Sequence, residues 1–266
     1  MWVHQIDPVI VEVFGWQIRW YGLMYIIGFI IGGQILIHLS KEGFLKLKRK
    51  EIDAFVTTLI LGMILGARLI YVFVYNWDYY RDHLLELLSI WQGGLSFHGA
   101  LMGFVVVIFI WAKRTKRPFY QLGDSLALAG TLGVGFGRIG NFINGELYGR
   151  VSEAGWGVVF PEGGPYPRHP SQLYEAFFEG FFLFSILWFL RGRVRFHGVI
   201  SAVFLIGYGT FRYGIEFFRE ADPQLGYYFG GTTTMGQILC VLMIVAGFGI
   251  YAHAKKNRDP VEIIIS

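Results

Sequence analysis

The sequence has little cysteine and little charge. Its 266 residues include a single cysteine, Cys240, which excludes an intrachain disulfide and a metal site built on several cysteines. Only 16% of the residues are charged, whereas soluble domains have about 25%. Hydrophobic residues make up 54% of the chain and aromatic residues 18%, a composition typical of proteins that lie in a bilayer and anchor at its surfaces. An ordinary soluble protein is therefore excluded.

Seven apolar runs are long enough, or nearly so, to cross about 30 Å of hydrocarbon as helices. We expect an all-α integral membrane protein in which residues 1–266 form one polytopic domain, a bundle of about seven transmembrane helices. The fourth run is the least regular, because it is rich in glycine and ends in polar residues. The expected spans are 20–39, 52–75, 95–112, 121–142, 171–190, 198–218 and 235–254.

Basic residues are distributed unevenly along the chain. Fifteen of the 23 lysines and arginines, including every lysine, follow the first, third, fifth or seventh run. The positive-inside rule then predicts that the N-terminus is outside and the C-terminus in the cytoplasm. The remaining connections are longer, and we expect them to form a head on the outer side. These outer segments are 1–19, 76–94, 143–170 and 219–234.

Two of the outer segments have a recognisable local pattern. Residues 82–91 place several leucines and Trp91 on one broad face, which predicts an amphipathic helix at the membrane interface. Short β-branched runs lie on either side of Gly15 and predict a hairpin.

Charged residues within the expected spans need a reason, because an arginine near the centre of a spanning helix costs at least about 2.5 kcal/mol. Arg68 lies in the second run and Arg212 in the sixth. A spacing of four residues puts Tyr208, Arg212 and Glu216 on one helix face. Two interpretations are open: Glu216 only neutralises Arg212 and stabilises the bundle, or this face belongs to a functional site.

The outer end of the fourth run is unusually polar for a membrane helix. Residues 137–150 read GRIGNFINGELYGR, so that Arg138, Asn141, Asn144 and Glu146 alternate with glycines. Glycine allows a ligand to approach the backbone closely, and arginine and asparagine donate hydrogen bonds that suit anionic oxygens. A helix C-cap followed by a polar loop explains only part of this pattern.

Other helices contribute polar side chains at the same level. His98 lies about one turn inside the third run, although a lone histidine is more often structural than catalytic. Tyr21 lies at the outer start of the first run, His169 precedes the fifth, and Glu175 and Glu179 follow within it. Because the inner half of the bundle has few such groups, we predict a pocket open to the outer leaflet. Its arginines indicate an anionic ligand, for which a lipid phosphate is the natural candidate.

These segments carry a family resemblance. GRIGNFINGELYGR closely resembles the signature of the bacterial prolipoprotein diacylglyceryl transferases. The segments RWYGLMY, GGLSFHG, RHPSQLYE and GYGTFRYGIEFFR are similar to the other motifs of that family, and the resemblance extends from Tyr21 to Gly236. It implies a seven-span enzyme of the bacterial inner membrane with its active site facing the outer leaflet.

The resemblance also implies a reaction and a set of site residues. The implied reaction transfers the diacylglyceryl group of phosphatidylglycerol to the lipobox cysteine of a preprolipoprotein signal peptide and releases glycerol 1-phosphate. Arg138 matches the arginine that binds phosphatidylglycerol, and Arg212 a second essential arginine. We expect catalytic roles for His98, Arg138 and Arg212. We expect substrate binding by Tyr21, Gly99, Arg138, Asn141, Asn144, Glu146, Gly149, His169, Tyr208, Arg212 and Glu216.

The implied chemistry needs a base, because a thiol with a pKa near 8.5 is a poor nucleophile until it is deprotonated. His98 is the first candidate, His169 is its rival, and Glu146 is a possible partner for either. The sequence does not decide among them. No metal or other cofactor is expected, and the expected partners are phosphatidylglycerol, the signal peptide and membrane lipids, with no nucleic acid.

Three other classes fit less well. A transporter suits charges within the membrane, but the two halves of the chain show no repeat. A membrane serine protease would use Ser96 with His98 or His169, but Ser96 lacks the small neighbours of a nucleophile turn. A metal-dependent phosphatidyl transferase needs clustered aspartates, and the sequence has no such cluster.

Overall fold

The computed structural model describes residues 2–220, 227–228 and 233–262, and these are mainly helical. Six helices in this part of the chain are long and apolar enough to cross a membrane, while a further helix, Val199–Ile215, has 17 residues and is shorter. The seven long helices are α1 (Trp20–Lys41), α2 (Arg49–Tyr75), α3 (Phe97–Thr115), α4 (Phe119–Asn144), α5 (Ser171–Arg191), α6 (Val199–Ile215) and α7 (Met235–Asn257).

Each expected span coincides with one of these helices, so a mainly helical fold with several membrane-spanning helices is confirmed. The helix lengths support six spans and leave the predicted count of seven open, because α6 ends at Ile215 and not at residue 218. Two helices contain π-helical segments, Tyr71–Tyr75 at the end of α2 and Ala176–Phe182 within α5.

Local capping interactions fix where several helices begin and end. Ser96 Oγ accepts a hydrogen bond from the Gly99 amide at the start of α3. Thr234 and Gln237 form a capping box at the start of α7. Helix α4 ends at Gly145, whose φ of +69° is the left-handed conformation that glycine adopts without strain.

The two ends of the bundle differ in the length and charge of their connections. The short basic connections and the C-terminal segment meet at one end, which we call the basic end; Lys46 there pairs with Glu262, and Arg191 pairs with Glu42. The opposite end, the head end, carries the longer segments and the short strands found among the described residues. These are β1 (Trp2–Val3), β2 (Val9–Val13), β3 (Trp16–Arg19), β4 (Val158–Val159), β5 (Tyr227–Tyr228) and β6 (Thr233–Thr234).

The strands pair as three small ladders: β1 is parallel to β4, and β2–β3 and β5–β6 are antiparallel. The predicted hairpin at Gly15 is therefore confirmed. Its turn consists of Phe14 and Gly15, with φ of +51° and +80°, and the Phe14 side chain is 99% exposed.

The predicted amphipathic helix over residues 82–91 is wrong. This segment instead contains separate 3₁₀ turns at Leu84–Glu86 and Ile90–Gln92, preceded by a helical turn at Trp77–Tyr80. The physical reason is that the Arg68 side chain donates hydrogen bonds to the carbonyl oxygens of residues 86 and 87. A continuous helix would use those two carbonyls for the amides of residues 90 and 91.

Glycines allow the helices to pack closely. A Cβ atom on Gly66 of α2 would lie 2.4 Å from the Gly99 carbonyl oxygen of α3, and one on Gly103 would lie 2.0 Å from the Gly62 carbonyl oxygen. Both helices thus contribute glycines four residues apart, the pattern that brings membrane helices into backbone contact.

Candidate active site

The site is built where α4 crosses α5. A Cβ atom on Gly180 would lie 2.5 Å from the Gly135 Cα atom, so the two backbones touch at this crossing. Arg138 follows Gly135 by three residues, and the π-helical segment of α5 carries Glu179. Segments of π-helix within α-helices occur frequently at functional sites.

Glu175 is the centre of a group of ion pairs between helices. Its Oε2 atom lies 3.1 Å from Arg138 Nε on α4, and its Oε1 atom accepts a hydrogen bond from Arg212 Nη1 on α6. Oε1 also lies 3.5 Å from Arg219 Nη1. The Glu175 side chain is fully buried, so these contacts form away from bulk water.

Two further carboxylates complete this group. Glu179, also fully buried, lies 3.8 Å from both Arg138 and Arg212. Glu216 Oε2 lies 3.0 Å from Arg212 Nη2, while Glu216 Oε1 accepts a hydrogen bond from Thr234 Oγ1 at 2.9 Å. We call Arg138, Arg212, Arg219, Glu175, Glu179 and Glu216 the arginine cluster.

The formal charges of the arginine cluster balance, with three cations and three carboxylates. Pairing lowers the cost of burying these groups, since an isolated charge pays a large desolvation cost in a buried site. The pairs also hold the guanidinium groups of Arg138 and Arg212 in fixed orientations. Both arginines keep some exposure, 19% and 12% of their side chains, so the cluster is accessible at one edge.

The expected face Tyr208–Arg212–Glu216 is present on α6 and its C-terminal turn. Arg212 does pair with Glu216, as the structural interpretation requires, but it also contacts Glu175 and Glu179 from α5. Tyr208 is partly buried against the core one turn before Arg212. Arg212 is thus the junction of a larger group and not half of an isolated pair.

A second polar group lies at the C-terminal end of α4. Glu146 Oε1 accepts hydrogen bonds from Asn141 Nδ2 at 2.8 Å and from Asn144 Nδ2 at 3.2 Å. Gln172 Nε2 of α5 donates to the Glu146 carbonyl oxygen at 2.6 Å. We call these four residues the asparagine cluster. The structure therefore brings together the three polar residues that the sequence singled out after Arg138.

Tyr21 at the start of α1 packs on the same end of α4. A Cβ atom on Gly140 would lie 2.9 Å from Tyr21 Cδ2, so glycine is needed for this contact. The Tyr21 hydroxyl lies 3.0 Å from the Tyr25 hydroxyl one turn further along α1.

Gly149 and His169 join the loop after α4 to the segment after α6. The Gly149 amide donates to the His169 carbonyl oxygen at 2.9 Å, and a Cβ atom on Gly149 would lie 2.4 Å from the Phe218 carbonyl oxygen. His169 packs edge-on against Phe218, and its Nδ1 atom lies 3.2 Å from the Tyr174 hydroxyl. Burial lowers the pKa of His169 below its ordinary value, which favours the neutral imidazole.

His98 belongs to a different pair of helices. It is exposed near the start of α3, and its Nδ1 atom lies 3.0 Å from the hydroxyl of Tyr75 at the end of α2. Gly99 beside it packs against Gly66 of α2. The structure thus gives Gly99 a part in helix packing, and its role in substrate binding stays a prediction.

Sequence reasoning left several members of these clusters off the list of site residues. Glu175 and Glu179 were recognised as polar residues at the right level but not as partners of Arg138 and Arg212. Their spacing of four residues was the available signal, since it places both carboxylates on one helix face. Gln172 and Arg219 lie within the segments RHPSQLYE and GYGTFRYGIEFFR, but their partners depend on how distant segments meet and cannot be predicted from spacing.

A bundle of apolar helices that buries paired arginines and carboxylates near one end defines a polytopic membrane protein with a candidate site for an anionic group. The family model for prolipoprotein diacylglyceryl transferase matches residues 8–253. This chain belongs to the prolipoprotein diacylglyceryl transferase family, as the motif resemblance predicted.

Relatives of similar length support this membership. The chain is 45% identical to a protein of Oleidesulfovibrio alaskensis over 95% of this chain and 94% of the relative. It is 46% identical to a protein of Photobacterium profundum over 95% of each chain, and 47% identical to one of Pseudoalteromonas translucida over 95% and 94%. Each relative is named phosphatidylglycerol–prolipoprotein diacylglyceryl transferase.

Proposed function

We propose that this protein transfers the diacylglyceryl group from phosphatidylglycerol to the lipobox cysteine thiol of a preprolipoprotein. Membership of the family and the names of relatives about 45% identical over nearly the whole chain support this reaction. The observation that carries the proposal is the arginine cluster, in which Arg138 and Arg212 from two helices converge on one buried carboxylate.

The proposed topology has seven spans, with the N-terminus outside, the C-terminus in the cytoplasm and the site facing the outer leaflet of the bacterial inner membrane. The basic end carries every lysine, which supports a cytoplasmic location for that end. Helix α6 is 17 residues long, or about 25 Å. Counting it as a membrane span brings the proposed total to seven.

Arg138 and Arg212 bind the phosphate of phosphatidylglycerol in this mechanism. A guanidinium group presents its donors in a planar fork that matches phosphate oxygens. Negative charge accumulates on the phosphate as its bond to the diacylglyceryl carbon breaks. By comparison with oxyanion donors, each arginine is worth about 3 kcal/mol of the barrier.

The nucleophile is the lipobox thiolate. A base takes the thiol proton, the sulfur attacks the glycerol carbon that bears the phosphate ester oxygen, and this C–O bond breaks. The thioether forms on the lipobox cysteine of the preprolipoprotein, and glycerol 1-phosphate leaves with the electron pair of the broken bond. The base then returns its proton to bulk water or to the leaving phosphate.

His98 is our first assignment for this base, with His169 as its rival and Glu146 as a possible partner for either. The Tyr75 hydroxyl at His98 Nδ1 supports the assignment, because a catalytic histidine needs a neighbour that orients its ring. The exposure of His98 also leaves it accessible to a second substrate. The lowered pKa of His169 keeps that ring neutral and able to accept a proton.

The remaining site residues are assigned to substrate binding. The asparagine cluster lies about one to two turns beyond Arg138. Its members Asn141, Asn144 and Glu146 offer donors and acceptors that suit the hydroxyl groups of a glycerol head. The other assigned residues are Tyr21, Gly99, Gly149, His169, Tyr208 and Glu216.

Mass spectrometry of a synthetic lipobox peptide tests the proposal. Purified protein is incubated with the peptide and phosphatidylglycerol, and the expected product is the peptide plus one diacylglyceryl group. A peptide with serine in place of the lipobox cysteine is the control and should stay unmodified. Shorter fragments would indicate proteolysis, and an unchanged cysteine peptide with folded protein would contradict the proposed transfer.

A further inference from the structure

Arg68 of α2 is a buried arginine that the proposed mechanism does not use. Only 2% of its surface is exposed, although it lies in one of the apolar helices. Within the part of the chain that the structure describes, the hydrogen bonds of its side chain go to backbone carbonyl oxygens and not to a carboxylate. The acceptors are Leu87 for Nε at 2.8 Å, Glu86 for Nη2 at 2.7 Å, and Gly93 and Gly94 for Nη1 at 2.9 and 3.2 Å.

These acceptors come from two separate stretches of one loop. The carbonyls of residues 86–87 and of residues 93–94 accept hydrogen bonds from the same guanidinium group. The chain between them therefore forms a loop whose two ends are held together by Arg68. Gly93 and Gly94 have φ of +86° and +75°, a conformation that side chains rarely adopt, and it directs their carbonyls back to Arg68. Tyr80 stacks on the guanidinium with its ring centre 5.0 Å away.

The fixed loop leads directly to His98. The Ser96 amide donates to the carbonyl oxygen of Ala67, the residue before Arg68, at 3.0 Å. Ser96 Oγ in turn caps α3 by accepting from the Gly99 amide at 3.2 Å. Consecutive residues of α2 therefore hold the chain just before α3, and His98 is the second residue of that helix.

We propose that Arg68 is a positioning residue for the transfer reaction: by binding four carbonyls of the preceding loop, it fixes the start of α3 and with it the His98 side chain. This inference rests on the proposed function, in which His98 is the base. Phosphate binding is assigned to α4 and α6, so Arg68 should influence the rate of the chemical step more than the affinity for phosphatidylglycerol.

Two variants test this interaction, one by removing the donors and the other by moving an acceptor. Arg68→Met keeps a long apolar side chain but removes all the donors. Gly93→Ala keeps the arginine and adds a side chain where no atom lies within 4 Å, so its effect is on backbone conformation: the strained φ should turn one carbonyl away from Arg68. Arg81→Gln is the matched control, because Arg81 lies in the same outer segment and its salt bridges with Asp78 and Asp82 are exposed.

The first measurement is hydrogen–deuterium exchange of residues 93–99 in the full-length protein, which does not depend on activity. We expect faster exchange in Arg68→Met, a smaller increase in Gly93→Ala, and no change in Arg81→Gln. The second measurement is the kinetics of peptide modification. We expect kcat to fall about 10- to 100-fold in Arg68→Met, since small displacements of a reacting group have effects of this size. The KM for phosphatidylglycerol should stay near the wild-type value.

Two outcomes overturn the proposal. Unchanged exchange at residues 93–99 in folded Arg68→Met would show that Arg68 does not hold this segment. Faster exchange with a normal kcat would show that the segment does not matter for the reaction. If Arg68→Met does not fold, Gly93→Ala decides by the same two criteria. If wild-type protein itself gives no adduct, the proposed function fails, and the exchange comparison alone decides whether Arg68 positions this segment.

Discussion

Arg138 and Glu175 form a buried ion pair between α4 and α5, with 3.1 Å between Arg138 Nε and Glu175 Oε2. The pair uses the Nε edge of the guanidinium group and does not involve the terminal nitrogens. One of these lies 3.8 Å from Glu179. The carboxylate therefore orients Arg138 without using all its donors. This geometry explains how an arginine can be held rigidly in an apolar bundle and still present donors to an anion.

Replacing Arg138 by lysine should reduce activity severely even though the charge is kept. Lysine has no planar fork and cannot bind Glu175 and a phosphate in the same geometry. We expect kcat to fall about 10²- to 10³-fold, as for the loss of an oxyanion donor. Peptide modification by Arg195→Lys, an exposed arginine at the basic end, is the control. Near-normal turnover by Arg138→Lys would mean that charge alone suffices.

Cysteine labelling tests the orientation. In a Cys240→Ser background, Glu153→Cys places a thiol on the exposed head end and Arg193→Cys places one at the basic end. A membrane-impermeant maleimide should label the first variant in intact cells with a permeabilised outer membrane. It should label the second only after the inner membrane is opened. The reverse pattern would contradict the predicted topology.

Gly149→Ala should destabilise the head. A Cβ atom at this position would lie 2.4 Å from the Phe218 carbonyl oxygen and 2.8 Å from His169. Backbone atoms must therefore move, at a cost of about 1–3 kcal/mol, as in overpacked cores. Gly155→Ala in the same loop is the matched control, because no atom lies within 4 Å of its Cβ position. Equal thermal unfolding midpoints for the two variants would contradict this role of Gly149.

Stability at mildly acidic pH should depend on His169. Burial lowers its pKa in the folded protein, so the unfolded chain binds the proton more tightly. The stability that neutral His169 contributes is therefore complete above the unfolded pKa of about 6.5 and is lost as the pH falls through that value towards the lower folded pKa. Thermal unfolding at pH 7.5 and 5.5 should show a smaller loss in His169→Gln than in wild type. An equal loss in both would contradict the burial argument.

Features that depend on local pattern were predictable from the sequence. Apolar run length predicted the positions of the long helices in the described part of the chain, and the residues around Gly15 predicted the hairpin, because both signals lie in consecutive residues. The helix predicted over residues 82–91 is wrong because the structure there depends on a residue outside the segment. Its apolar spacing fits a helix, but the carbonyls of Glu86 and Leu87 bind Arg68, which is far away in sequence.

The site shows the same division. Asn141, Asn144 and Glu146 were found together because they follow one another along the chain and contact one another in space. Gln172 reaches the same group from α5, and its contact could not be read from spacing within one helix. Substrate binding by Gly99 is expected from the family resemblance and stays a prediction, whereas its close contact in the structure is with Gly66 of α2.

The two buried carboxylates of α5 should respond differently to the same substitution. Glu175 contacts Arg138 and Arg212 directly, whereas Glu179 approaches each only to 3.8 Å. Glu175→Gln should therefore release both arginines from their orientation and lower kcat about 10²-fold, because a displaced catalytic group has an effect of this size. Glu179→Gln should leave that orientation intact and remove one negative charge beside the proposed phosphate site.

The expected result for Glu179→Gln is a lower KM for phosphatidylglycerol. An ionised Glu179 repels an approaching phosphate, so at a pH where Glu179 is ionised the removal of its charge is worth about 1 kcal/mol or more, or at least about fivefold in affinity. Steady-state kinetics at varied phosphatidylglycerol measures both parameters. The variants serve as controls for each other, because they make the same change one turn apart on one helix. Equal losses of kcat in the two variants would mean that Glu179 also orients the arginines, and a raised KM in Glu179→Gln would contradict phosphate binding at this cluster.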